Sequence, residues 1–226
     1  MSWQKYLVLA LCIVFILVNV VALAFGTTIF NQNSDKKFSM KSNFIHELHD
    51  FRVPEVIYFR AIYIFSLVLP VLILAGFNYD VLFNSSTGYY LFLSYLVLTI
   101  FLIASGFSAF IKPVNIKLFV GFKIAKMISL LSAFVFLSFA CIFKFNPGMI
   151  SLEFSSLIPY LIIMIIALIF VVLMILSFAN KKLYTWYKIG DGDEQVTNYL
   201  AYYDWIYALF SYVFLILFLS LYFVMF

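Results

Sequence analysis

The chain has 226 residues, of which 66% are hydrophobic and only 11% are charged. A water-soluble domain normally carries roughly 25% charged residues, so this surface would be too poor in charge to stay in water. The formal net charge of +4 comes from bases set beside apolar runs, where they orient spans and meet anionic lipid headgroups, and it does not point to nucleic acid.

A helix needs about 20 apolar residues to cross the hydrocarbon core, and runs of that length recur along the chain. They predict an all-α, polytopic transmembrane helical bundle of about six spans, forming one membrane domain. The spans are placed at 6–25, 56–77, 89–111, 120–143, 157–179 and 200–226. Pro159 falls in the first turn of the fifth span, where a missing N–H costs little. Pro70 sits inside the second and predicts a kink. Turn formers punctuate the connections, as in Asn146-Pro147-Gly148. Cys12 and Cys141 lie within apolar runs and read as small buried side chains.

Orientation follows from where lysine and arginine gather, since cytoplasmic loops hold the excess. Lys36, Lys37, Lys41, Arg52 and Arg60 belong to the first connection and the start of the second span. The third connection and the following span contribute Lys112, Lys117, Lys123 and Lys126, and the fifth contributes Lys181, Lys182 and Lys188. Twelve bases thus share one side, against Lys5 and Lys144 on the other. Both termini are expected to be extracytoplasmic. The first span also has signal-peptide features, with Lys5 before an apolar core and Ala22, Ala24 and Gly26 near its end. A signal peptide would put all twelve bases outside, so a retained span is expected. The abundance of Phe, Ile, Tyr and Lys fits the plasma membrane of a low-GC bacterium.

The connection 27–55 contains Met40, Phe44, Ile45, Leu48 and Phe51 at helical spacing. That stripe predicts an amphipathic helix lying on the cytoplasmic membrane surface. His46 and His49 within it are three apart rather than four, so the zinc-protease arrangement is absent and no metal is expected. The acidic stretch 190–194 lacks the ligand spacing of a calcium loop and is read as capping the last span. Asn84-Ser85-Ser86 fits a glycosylation acceptor, relevant only to a eukaryotic secretory membrane. The aromatic residues around the fifth connection, Trp186, Tyr199, Tyr202 and Trp205 among them, read as an interfacial belt.

Ionisable residues inside spans are costly and are functional candidates by default. Asp204 in the last span and Arg60 in the second lie at similar depth on the same side and form a candidate intramembrane pair. Ala201, Asp204, Ala208 and Ser211 share one helical face, which predicts that Asp204 points into the bundle and bonds Arg60 or a tyrosine hydroxyl. In a transport path it would be a proton or cation site. At this shallow depth the blander reading is favoured, with Arg60 snorkelling to the interface and Asp204 reaching water. Lys123 and Lys126, one turn apart, are expected to touch lipid phosphates. Ala104, Ser105, Gly106, Ser108 and Ala109 form small-residue pairs suited to close helix packing, and Ser129, Ser132 and Ala133 do the same on the fourth span.

No serine elbow, intramembrane glutamate pair or phosphate-cradling loop is present in the sequence, so no enzyme activity and no cofactor are expected. Two function classes fit. One is a small-solute transporter, or the membrane-embedded subunit of a transport complex energised by a partner ATPase. The other is a non-catalytic scaffold or assembly subunit of a membrane complex.

Overall fold

A computed structural model of the protein describes residues 3–35, 37–49, 53–108, 116–145, 154–184 and 199–225. All regular structure among them is helical: α1 (Trp3–Asn33), a 3-10 turn (Ile45–His49), α2 (Glu55–Ala75), α3 (Tyr79–Phe83), α4 (Ser86–Ser108), α5 (Ile116–Lys144), α6 (Phe154–Phe178), a second 3-10 turn (Lys181–Tyr184) and α7 (Tyr199–Met225). Six of these helices are long and apolar enough to cross a membrane. The protein is a multi-pass membrane helical bundle. Ala109, the 146–148 turn, Trp186 and the acidic stretch 190–194 lie outside the described residues.

Each span buries one stripe. On α1 it runs Val8, Cys12, Phe15, Asn19, Ala22, Gly26 and Ile29, alternating steps of four and three. That period is the one that keeps a helix seam facing a neighbour. α1 packs chiefly on α2, α4 on α5, and α5 on α6, while α7 touches α1, α4, α5 and α6. The outward faces of α1, α2 and α6 stay apolar and exposed, as in Leu17, Phe65 and Ile169, which suits contact with lipid.

Glycine sets two close approaches. A Cβ on Gly106 would overlap the Leu67 side chain, so α4 and α2 meet closely at the small-residue stretch of the third span. Ser105 of that stretch is half-buried, and Ser108 ends the helix. Gly88 opens α4 beneath α3, and a Cβ there would lie 2.8 Å from Leu82 Cα and 2.9 Å from its carbonyl carbon. Backbone cannot step aside as a side chain can. Gly88→Ala is expected to cost about 1–3 kcal/mol, read as a lower unfolding midpoint in mild detergent.

Several details differ from the expectations. α1 continues to Asn33, beyond 25, with the Thr27 and Thr28 hydroxyls donating back to Ala24 O at 2.9 and 2.8 Å. The first connection holds a 3-10 turn rather than a surface helix. Glu47 shapes it, its Oε1 accepting from Phe44 N at 2.7 Å and its Oε2 from Asn43 Nδ2 at 2.6 Å. Phe44 and Leu48 are buried in protein and not turned to lipid. Leu48 joins Ile29, Phe30, Val56 and Phe59 in a small core between α1 and α2. Pro70, inside the continuous α2, is buried, and its carbonyl accepts from the Tyr95 hydroxyl of α4 at 3.3 Å.

The two ends of the bundle differ in charge. At one end the first connection meets the starts of α5 and α7, through Phe44 against Phe119 (5.3 Å between ring centroids) and Phe38 against Trp205 (5.9 Å). At the other end the Lys5 ammonium lies 5.9 Å from the Phe223 ring centroid, and Lys144 lies 5.3 Å from that of Tyr160. The first connection and the starts of α5 and α7 therefore share one end of the bundle, and the start of α1 and the end of α5 lie at the other.

Candidate functional site: a buried ion triad beside a polar cavity

Lys123 lies roughly two turns into α5 and Lys126 one turn further, so both project from one helix face. On the α7 face of Ala201, Asp204, Ala208 and Ser211, Ala208 is half-buried and the other three are buried. Asp204 thus enters the bundle, and the favoured expectation that it reaches water fails. The three charges meet. The Lys123 ammonium donates to Asp204 Oδ2 at 2.6 Å, and that of Lys126 donates to Oδ1. Lys123 is 0% exposed, Lys126 5% and Asp204 6%.

These lysines therefore do not touch lipid phosphates. The expectation failed because their face of the helix turns toward α7, where Asp204 takes both ammonium groups. Arg60 lies exposed on α2, one step off the buried face of Val56, Phe59, Tyr63 and Ser66, while both carboxylate oxygens of Asp204 are occupied by lysines. Depth and opposite sign were the available signals for the lysines. A sequence gives no rotation of α5 against α7.

With all three groups ionised, two ammonium ions face one carboxylate, a net positive centre in a low-dielectric place. Aromatic faces offset part of that excess. Lys123 Nζ lies 5.3 Å from the ring centroids of both Phe44 and Phe119, and Lys126 Nζ 5.6 Å from that of Phe101. Such contacts contribute about 0.5–2 kcal/mol each, most when desolvated.

The first connection seals this centre. Phe44 covers Lys123, and the Trp205 indole donates to the Asn43 carbonyl at 2.9 Å. Trp205 thus belongs to the interior and not to an interfacial belt, whereas Trp3 and Tyr6 at the far end are exposed.

Next to the triad lies a partly open cavity of about 60 Å³ between α1, α2, α4 and α7, with room for a few water molecules. Its polar lining is Asn19, Tyr63, Ser66, Ser105, Ser211 and Tyr212, and none of its lining residues is charged. Phe101 and Trp205 stand between it and the ions, and Ile45 of the first connection closes it from above. One amide N–H of Asn19 donates to Phe15 O at 2.8 Å. The hydroxyls of Ser66 and Ser211 donate to Tyr63 O and Ala208 O, each at 2.6 Å. Those two serines therefore offer oxygen lone pairs to a guest.

The arrangement sets a small cavity with six polar side chains on its wall beside a buried charge cluster. No protein-family model matches this chain, and neither a curated protein nor a solved structure is significantly similar to it.

Proposed function

We propose that the protein is a membrane transporter of a small solute, or the membrane-embedded subunit of a transport complex, with the first connection as its lid. The observation that supports this best is the small cavity between four helices and Ile45 of the first connection. Six polar side chains from those four helices share its wall. The lysine-rich face is cytoplasmic in this reading, which places both termini outside, in a plasma membrane. The residues around the cavity bind and release rather than catalyse, and energy would come from a gradient or from a partner ATPase.

In the scaffold reading the triad is a pin that fixes α5 against α7, a role open to buried ion networks. It gives the cavity no task. Cysteine access separates the two. Single cysteines at Ser66 and Ser211, in a background where the buried Cys12 and Cys141 are replaced by alanine, are probed with an impermeant thiol reagent in sealed vesicles of each orientation. A transporter exposes these positions to each side in turn, so labelling is expected from both. A cavity that never opens, with no labelling from either side, would support the scaffold.

A further inference from the structure

Resting on the transport reading, we infer that the cavity takes an uncharged hydrogen-bonding solute of the smallest class, water or a urea-sized amide, and rejects ions of both signs. Three observations carry this.

A cation entering the cavity meets no carboxylate among the lining residues. Asp204, next in the chain to the lining residue Trp205, is already engaged by the ammonium groups of Lys123 and Lys126. A cation would therefore have to shed its water with no anionic partner among the lining residues. An anion fares no better. Lys123 and Lys126 direct their ammonium groups at Asp204, not into the cavity, and Phe101 and Trp205 stand in the way. The oxygens of Ser66 and Ser211, with their protons held by backbone carbonyls, present lone pairs that repel it.

A neutral donor finds what an ion lacks. It can donate to Ser66 and Ser211, while Asn19, carrying a carbonyl oxygen and a second N–H, offers both kinds of partner. The volume of about 60 Å³ admits nothing much larger until the lid lifts.

The test uses the full chain in liposomes. Stopped-flow light scattering reads water and urea movement, and planar-bilayer recording reads conductance in sodium chloride. Urea flux well above that of empty vesicles, with no conductance, is expected. Ser211→Ala should lower urea flux about fivefold, the worth of one hydrogen bond. Ser66→Leu, which fills the cavity, should abolish it, and the milder alanine variant keeps the test valid if the leucine variant misfolds.

Conductance in sodium chloride would overturn the inference while leaving a transporter standing. Cavity cysteines that react from both sides without urea or ion flux would also overturn it, pointing to a different solute. No flux together with no cysteine reaction removes the transport reading itself.

Discussion

Asp204→Ala is expected to destabilise the protein by about 3–5 kcal/mol, the usual cost of breaking a buried ion network by removing one side. Two ammonium groups would be left within the bundle, one with no exposed surface at all. They would repel each other across a medium that screens poorly. The midpoint of unfolding in mild detergent, read by circular dichroism, should fall accordingly. Asp204→Asn should fall nearly as far, because it keeps the shape and loses the charge. By contrast Arg60→Ala, on an exposed site, should stay within about 0.5 kcal/mol of the parent.

Phe44→Ala is expected to have the next largest effect, about 3 kcal/mol or more, the scale for deleting a buried phenylalanine. Its ring is buried, packs edge-on against Phe119 and lies over the Lys123 ammonium. Most of that loss should fall on the docking of residues 37–49 and less on the spans, since local segments open with their own free energies. A cysteine at Ile45, which closes the cavity, should turn from unreactive to readily labelled by an aqueous thiol reagent. Global helicity should change little. If the cysteine stays protected in Phe44→Ala, the first connection is not held down by that ring.

The spans were legible because crossing a bilayer demands long apolar runs, which no packing detail disguises. The inward face of α7 was only half legible: Ala201, Asp204 and Ser211 share a helical face and each is buried, but the shallow depth of Asp204 had favoured its reaching water. The partners of Asp204 were not legible. Sequence gives the depth of a residue along its helix but not the rotation of that helix against others. Lys123 and Lys126 were therefore grouped with the lysines that sit at the lipid surface. The apolar stripe through Phe44 and Leu48 raised the same difficulty in another form. A side chain that shuns water does not say whether lipid or protein receives it, and here both residues enter protein. The cavity was beyond reach for a related reason. Asn19, Ser66, Ser105 and Ser211 come from four helices and converge only when those helices pack.

One comparison reaches the core of the account: the stability of Asp204→Ala beside that of the triple replacement Lys123→Met, Lys126→Met, Asp204→Leu. If the three charges form a closed buried set, removing all of them leaves no uncompensated ion, and stability should return to within about 1 kcal/mol of the parent or exceed it. A triple variant as damaged as the single one, or an Asp204→Ala protein as stable as the parent, would contradict the triad.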